Sequence, residues 1–181
     1  YFIAFAAPRL KNFLLILLII PFWTNFLIRT YAWIVILQDQ GVINTSLLHF
    51  GIIREPLNLL YNTRAVMIGM LYGYLPFMVL PIYASLEKLH PPLLEASMDL
   101  GANRLKTFFY VTIPLTLPGI VAGITLVFVP TIGEFIVPDI LGGAKTILIG
   151  NIVTNQFLSA RDWTFGSAMT MILVAFVLIG L

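Results

Sequence analysis

Two carboxylates, Glu134 and Asp139, are the side chains in this sequence that are best placed to bind a ligand. Both follow the apolar run at 115–132, in the segment GEFIVPDILGG. Because an acidic side chain at membrane depth is costly, a carboxylate at the end of an apolar helix indicates a functional site. The alternative is that both carboxylates face water or cap the loop.

A second group of polar residues lies in the segment EASMDLGANRLKTFFYVTIPLTLPGIVAG, from Glu95 to Gly123. Its first half carries charges at Glu95, Asp99, Arg104 and Lys106, whereas the runs on either side are almost uncharged. A charged residue at the centre of a membrane helix costs about 2.5 to 3.5 kcal/mol. This first half is therefore predicted to be a loop in water between two membrane spans.

Good helix formers fill this loop, and Gly101 interrupts them. Pro91 and Pro92 suit the first turn of a helix, whereas a glycine inside a helix costs roughly 1 kcal/mol relative to alanine. We therefore predict two short helices that meet at Gly101, where the glycine forms either a bend or a helix C-cap with a positive φ.

Enzymatic chemistry finds little support in the sequence. The chain has no cysteine, and its two histidines, His49 and His90, lie far apart without nearby metal partners. The segment GGAKT at 142–146 lacks the GxxxxGK[ST] spacing of a phosphate loop. We therefore predict no catalytic residues, no metal site and no cofactor bound by this chain.

The composition is that of an all-α membrane protein, with 60% hydrophobic residues, 10% charged residues and a mean hydropathy of +0.99. We predict a single transmembrane domain over 1–181, with spans at about 13–37, 65–86, 115–132 and 165–181. Residues 1–7 are predicted to be the end of an earlier span. Because both ends of the chain look cut within spans, we expect the intact protein to be longer.

The distribution of Lys and Arg predicts how the chain is oriented. Residues 8–12 and 87–110 hold five of these cations in 29 residues, whereas the loops at 38–64 and 134–164 hold four in 58. The first two segments are therefore predicted to be cytoplasmic and the other two external. Inside the spans, Gly69 with Gly73 and Gly119 with Gly123 are spaced for close helix packing.

The polar loop also resembles the EAA loop of ABC importer permeases, whose pattern is EAA, three residues, G, nine residues and I-x-L-P. Here Glu95-Ala96-Ser97 is followed at those distances by Gly101 and by VTIP at 111–114, with conservative departures at Ser97, Val111 and Ile113. The resemblance implies a multi-span helical bundle of the type I importer kind, with 87–110 as a coupling loop that docks into a cytoplasmic ATPase subunit. A plain solvated loop is the alternative. The resemblance assigns coupling to Glu95, Ala96, Ser97, Asp99, Leu100, Gly101, Ala102 and Arg104.

Longer stretches are similar to the polyamine branch of these permeases, which carries spermidine and putrescine. They are PFWTNFLIRTYAW at 21–33, LPFMVLPIYASLEKL at 75–89, GEFIVPDILGG at 133–143, and LIGNIVTNQF followed by DWTFGSA. The path of such a flexible polycation should offer carboxylates and aromatic faces. The candidate path residues are Glu134, Asp139, Trp23, Tyr31 and Tyr74, although aromatic residues also populate the interfacial belts of membrane proteins.

Arg29 lies inside the first predicted span, where its positive charge would repel a cationic substrate. We therefore expect it to snorkel to the outer interface or to pair with an acid such as Asp39.

The resemblance implies a multi-pass subunit of an ATP-driven importer in the inner membrane of a bacterium. Its implied partners are two ATPase subunits that bind ATP and Mg²⁺, a second homologous permease, an external solute-binding protein and membrane lipid, but no nucleic acid. One alternative is an ion-coupled secondary carrier that uses Glu134 or Asp139. Another is an ABC permease for a different small solute. The EAA-like loop distinguishes the importer from the secondary carrier, because a secondary carrier is not expected to contain such a loop.

Overall fold

The computed structural model describes residues 1–143 and 145–180, and all regular elements in this part of the chain are helices. Two residues lie outside it: Ala144, in the predicted external loop at 134–164, and Leu181, at the end of the predicted span at 165–181. The described helices are α1 (Phe2–Phe5), α2 (Pro8–Ile19), α3 (Phe26–Leu37), α4 (Val42–His49), α5 (Thr63–Glu87), α6 (Pro91–Asp99), α7 (Arg104–Thr107), α8 (Ile113–Ile132), α9 (Ile136–Gly142), α10 (Ile149–Leu158) and α11 (Trp163–Gly180).

Three helical stretches in the described residues are long and apolar enough to cross a membrane. They are Thr63–Glu87, Arg104–Ile132 and Trp163–Gly180, and a fourth crossing is added if the helices on both sides of residues 24 and 25 form one broken span. The stretch Arg104–Ile132 joins α7 to α8 through a π-helical segment, Phe108–Thr112. The predicted all-α membrane fold is therefore confirmed.

The predicted span at 13–37 is not one continuous helix. α2 ends at Ile19 and is followed by a 3₁₀ turn, Ile20–Trp23, which contains Pro21. α3 then begins with its own cap, because the Asn25 side-chain oxygen accepts a hydrogen bond of 2.8 Å from the backbone N–H of Leu27. Such a cap defines the start of a new helix, so the predicted span is divided into two helices at this point.

The chain forms two compact units. The first contains Tyr1–Pro21 and Tyr74–Phe128, and the second contains Phe22–Gly73 and the chain from Val129 onward. α5 and α8 contribute to both.

Inside the first unit, α5 and α8 approach closely at Gly119 and Gly123. A β-carbon on Gly119 would overlap Ser85 Oγ and lie 2.5 Å from the Pro81 carbonyl oxygen, and one on Gly123 would lie 2.9 Å from Met78 Sδ. Only glycine leaves room for this contact. The packing role predicted for the Gly119 and Gly123 pair is confirmed.

The core of the second unit is formed around α9, which belongs to the predicted external loop at 134–164. A β-carbon on Gly69 of α5 would lie 3.0 Å from Val137 Cγ1 and even closer to Leu141 Cδ1, so α9 packs directly on the backbone of α5. The buried apolar residues of this core are Leu37, Leu60, Ala65, Val66, Val137 and Leu141. The part of the loop that carries Glu134 and Asp139 is therefore anchored in the fold.

Candidate functional site

The polar loop at 87–110 contains a tight helical hairpin that turns at Gly101. The backbone N–H of Ala102 bonds to the Ser97 carbonyl oxygen at 3.1 Å, and that of Gly101 bonds to the Met98 carbonyl oxygen at 2.9 Å. This pair of bonds is the Schellman motif that ends a helix on a left-handed residue, and Gly101 has φ +89°. The two short helices predicted to meet at Gly101 are confirmed, and of the two alternatives for this glycine the structure has the helix cap with a positive φ.

Side chains on both arms fix the hairpin. The Asn103 side-chain oxygen caps α7 by accepting a hydrogen bond of 2.8 Å from the Lys106 N–H. The Ser97 and Thr107 hydroxyl oxygens lie 2.8 Å apart, and Ser97 Oγ also donates to the Leu94 carbonyl oxygen at 2.8 Å. A cap and a cross-link of this kind hold α6 and α7 at one mutual angle.

The tip of the hairpin presents an apolar side chain among charges. Leu100 is 90% exposed, and Glu95, Asp99 and Arg104 are also exposed. The sequence analysis missed Leu105, a second exposed apolar residue on the α7 arm, although a leucine in a charged loop was a signal for it. Exposed leucines with flanking charges can form the apolar centre and polar rim of a protein interface.

The hairpin leads directly into the long apolar helix α8. α7 continues into α8 through the π-helical segment Phe108–Thr112, and the whole stretch Arg104–Ile132 is one long apolar helix. A π segment is a local irregularity that is frequent at functional sites. The hairpin is therefore connected to a spanning helix without an intervening loop.

Glu134, the first candidate for a cation site, is 8% exposed and caps a helix. Its Oε1 accepts hydrogen bonds from the backbone N–H groups of Ile136 at 2.9 Å and Val137 at 3.2 Å, at the start of α9. A carboxylate is favoured there because the N–H groups of a first helical turn lack partners in their own helix and carry partial positive charge. This is the capping arrangement that the sequence analysis kept as an alternative to cation binding.

Asp139 is exposed in the first turn of α9 and contacts Asn151 of α10, a residue that the sequence analysis missed. Asn151 Nδ2 donates to Asp139 Oδ1 at 2.5 Å and to the Phe135 carbonyl oxygen at 3.0 Å, while its Oδ1 accepts from the Leu148 N–H at 3.0 Å. Asn151 is buried, so these bonds satisfy its amide. Nothing local in the sequence marks this asparagine, because its partner Asp139 lies twelve residues away.

The packing of α10 on the Glu134 backbone is equally close. A β-carbon on Gly150 would overlap the Glu134 carbonyl oxygen and lie 2.7 Å from that of Gly133. Glycine is thus required where α10 crosses the start of the acidic segment. The segment that carries Glu134 and the Asp139–Asn151 pair are therefore packed against each other.

The chain is similar to known membrane transport proteins. Residues 1–181 match the family described as "Binding-protein-dependent transport system inner membrane component". The chain belongs to this family. It is therefore a component of a transport system in the inner membrane rather than an enzyme, as the sequence analysis predicted.

Individual members of the family are also similar. The spermidine/putrescine transport system permease protein PotB of Escherichia coli (strain K12) is 50% identical over 173 residues, which cover 96% of this chain and 63% of that protein. PotB of Haemophilus influenzae is 49% identical over 164 residues, covering 91% of this chain and 57% of that protein. The inner membrane ABC transporter permease protein YdcU of E. coli is 37% identical over 185 residues, covering 95% and 58%.

The chain thus spans about three fifths of the length of the curated permeases that it matches. The resemblance to ABC importer permeases that the EAA-like loop and the longer stretches indicated is confirmed by the family match and by these identities.

The predicted aromatic path residues of this inner membrane component lie in different surroundings. In the second unit, Trp23 is 86% exposed in the 3₁₀ turn, and Tyr31 is exposed on α3. Tyr74 is half-buried in the first unit, with its ring centroid 6.3 Å from that of Phe77. The Arg29 guanidinium lies 4.4 Å from the Phe22 ring centroid, among aromatic rings, and its expected snorkelling or pairing with an acid stays a prediction.

Polar residues also line a cavity of about 670 Å³ in the second unit of this inner membrane component. The charged residues at its wall are Asp39, Glu55 and Lys145. One wall is held by the buried Asn44, whose amide donates to the Leu57 carbonyl oxygen at 2.9 Å and accepts from the Leu57 N–H at 2.8 Å. Apart from Ile34, its lining residues lie in the two predicted external loops.

An ion pair joins the start of the polar loop at 87–110 to α2 within the first unit. Lys11 Nζ lies 2.6 Å from Glu87 Oε1 and 5.3 Å from the centroid of the Tyr83 ring. Glu87 is the last residue of α5, four residues before α6 begins at Pro91. The start of the polar loop is thus joined to α2 by a side-chain contact as well as to α5 by the chain itself.

Proposed function

We propose that this chain is a permease subunit of an ATP-driven importer that takes up polyamines, spermidine and putrescine, across the inner membrane. The observation that carries the proposal is the hairpin at Pro91–Thr107, with Leu100 exposed between charges at its tip. The hairpin has the size and rigidity to dock into a cleft of an ATPase subunit. The choice of substrate is supported by 50% identity to a protein named as a spermidine/putrescine permease.

The proposed partners follow from this function. Two ATPase subunits bind ATP and Mg²⁺, a second homologous permease completes the pathway, and an external solute-binding protein delivers the polyamine. When the ATPases close on ATP, they move the hairpin, and α8 transmits this movement to the spans. The spans then rock so that the pathway faces outward, and hydrolysis resets them, which is transport by alternating access.

The coupling role is assigned to Glu95, Ala96, Ser97, Asp99, Leu100, Gly101, Ala102 and Arg104, and the path to Glu134, Asp139, Trp23, Tyr31 and Tyr74. Asp139 is the more accessible carboxylate, since it is exposed whereas Glu134 is buried. An ammonium group that passes either carboxylate in a partly dehydrated pathway gains a charge-assisted hydrogen bond.

The test is affinity purification of the full-length protein from native membranes, followed by labelled spermidine uptake in proteoliposomes. An ATPase, a second permease and ATP-dependent uptake are expected. A chain that is purified alone and takes up substrate on an ion gradient would instead be a secondary carrier. Uptake of a different solute by the same assembly would keep the importer and reject the polyamine.

One substitution tests the docking surface directly. Leu100→Glu places a charge at the exposed apolar tip and should reduce the amount of ATPase that is purified with the permease. Leu158→Glu is the matched control, because Leu158 is also an exposed leucine near the end of a helix, in the predicted external loop. Equal ATPase recovery from both variants would reject the hairpin as the docking site.

A further inference from the structure

Arg29 is surrounded by aromatic rings inside the second unit. Its guanidinium carbon lies 4.4 Å from the centroid of the Phe22 ring, 5.5 Å from that of Phe26 and 5.9 Å from that of Tyr72. A cation within about 6 Å of a ring centroid is attracted by the negative face of the ring. Three rings therefore form one cation-binding cage, which we call the Arg29 cage.

The rings of the cage are fixed by their neighbours. Asn25 caps α3 and so sets the position of Phe26, the first residue of that helix. Tyr72 is held by Trp33, which packs edge-on against it with ring centroids 5.4 Å apart. Gly73 leaves ordinary contact space for Phe26, whose ring edge would lie 4.0 Å from a β-carbon at that position. The cage is thus built into the packing of α3 against α5.

The chemistry of the cage is not specific to arginine. A ring face attracts any organic cation, and primary ammonium groups and guanidinium groups bind it by the same electrostatic attraction. Inside a predicted span the attraction is stronger than in water, because less solvent competes for the charge. The ligand class that fits the cage is an alkylammonium group.

We propose that Phe22, Phe26 and Tyr72 form an organic-cation site that Arg29 occupies in the resting permease and that a substrate ammonium group takes over during transport. This inference rests on the proposed polyamine transport. Arg29 is then a tethered competitor for the substrate rather than a residue that the substrate must simply avoid.

A tethered competitor gives selectivity for ligands with several ammonium groups. Because Arg29 is attached to the chain, its effective concentration at the cage is high, and a monoamine competes poorly with it. A polyamine whose other ammonium group is already bound to a carboxylate is held near the cage as well. Its effective concentration at the cage is therefore also high, and it can compete with Arg29. Removal of the Arg29 charge should therefore increase the binding of a monoamine to the cage more than it increases the binding of a diamine.

The experiment uses the full-length complex in proteoliposomes and measures labelled putrescine uptake with increasing butylamine. Wild type and Arg29→Lys, which keeps a tethered cation, should be inhibited weakly. Arg29→Met should lower the inhibition constant of butylamine by roughly two- to thirtyfold, the range expected for a desolvated cation–π contact. Phe22→Leu added to Arg29→Met should reverse much of this gain. Arg54→Met, which removes an exposed arginine outside the cage in the same unit, should behave as wild type.

The solute-binding protein is identical in all of these assays, so a difference between variants arises in the permease. Arg29→Gln also removes the charge but keeps a polar side chain, and it serves if Arg29→Met fails to assemble. An unchanged butylamine inhibition constant in the charge-free variant, with wild-type putrescine uptake intact, would overturn the cage proposal alone. Absence of putrescine uptake in the wild-type complex would instead reject the proposed function, and the cage proposal with it.

Discussion

Ser97 and Thr107 share a hydrogen bond, with their hydroxyl oxygens 2.8 Å apart, that links the two arms of the hairpin across Gly101. Ser97 is also one of the positions at which the loop departs from the EAA pattern. The departure has a structural consequence, because an alanine at this position has no hydroxyl to bond with Thr107. The hairpin of this chain is therefore fixed by a contact that the family pattern does not require.

Thr107→Val should loosen this link while keeping the shape of the side chain. Loss of one hydrogen bond between partly buried hydroxyl groups costs about 0.5 to 1.5 kcal/mol, so the complex should assemble but hydrolyse more ATP for each substrate molecule carried. ATP hydrolysis and spermidine uptake by the reconstituted complex give this ratio. Ser46→Ala is the control, because that hydroxyl donates only within its own helix, to the Val42 carbonyl oxygen, at 2.7 Å. An unchanged ratio for Thr107→Val would show that the hydroxyl pair does not set coupling.

Gly101→Ala should reduce coupling through backbone strain alone. A β-carbon at Gly101 would have no neighbour within 4 Å, yet φ +89° is a conformation that alanine adopts only at a cost of about 1 to 2 kcal/mol. The hairpin should therefore shift, and uptake should fall at normal expression of the protein. Gly101→Asp should act in the same direction and add a charge at the docking surface.

Gly51→Ala is the matched control for this strain. Gly51 also has a positive φ, +67°, and no neighbour within 4 Å, but it lies in the predicted external loop at 38–64. Its alanine variant should keep normal coupling. The same loss of uptake in both variants would mean that the strain acts on stability in general and not on the hairpin.

The predicted orientation can be tested with single cysteines, because the 181-residue sequence contains no cysteine. In the full-length protein with any other cysteines replaced, Lys145→Cys should react with a membrane-impermeant thiol reagent from outside. Lys106→Cys should react only after the membrane is opened. Both lysines are exposed in the structure, so a lack of labelling would not reflect burial within the chain. The reverse pattern would invert the topology.

Two substitutions at Glu134 separate its charge from its capping role. Glu134→Gln keeps an oxygen that can accept from Ile136 and Val137, so assembly should be normal. If the carboxylate contributes to the cation path, uptake at limiting polyamine should fall by roughly ten- to a hundredfold, which corresponds to a charge-assisted hydrogen bond of about 1.5 to 3 kcal/mol. Uptake is measured at matched complex abundance, with basal ATP hydrolysis as the folding control.

Glu134→Ala removes the cap as well and should destabilise the start of α9 by about 1 kcal/mol, seen as a lower melting temperature of the complex. Wild-type uptake by Glu134→Gln together with this loss of stability would assign Glu134 to capping alone. The carboxylate of the path would then be Asp139 or would come from the partner permease.

The sequence by itself determined the features that depend on local chemistry. Hydropathy located the long apolar helices, because transfer of side chains into lipid depends on each segment and not on its neighbours. The turn at Gly101 was predictable for the same reason, since a positive φ and the bonds that close a helix end involve only adjacent residues.

The tertiary structure alone decided the features that join distant residues. It made Glu134 a buried cap, paired Asp139 with Asn151, and placed Arg29 among rings that include Tyr72, which lies on another helix. A carboxylate or a guanidinium has the same sequence signature whether it binds a ligand or the chain's own backbone and rings. Which of these partners it has depends on how the helices pack, and that is set by contacts between glycines and side chains far apart in the chain.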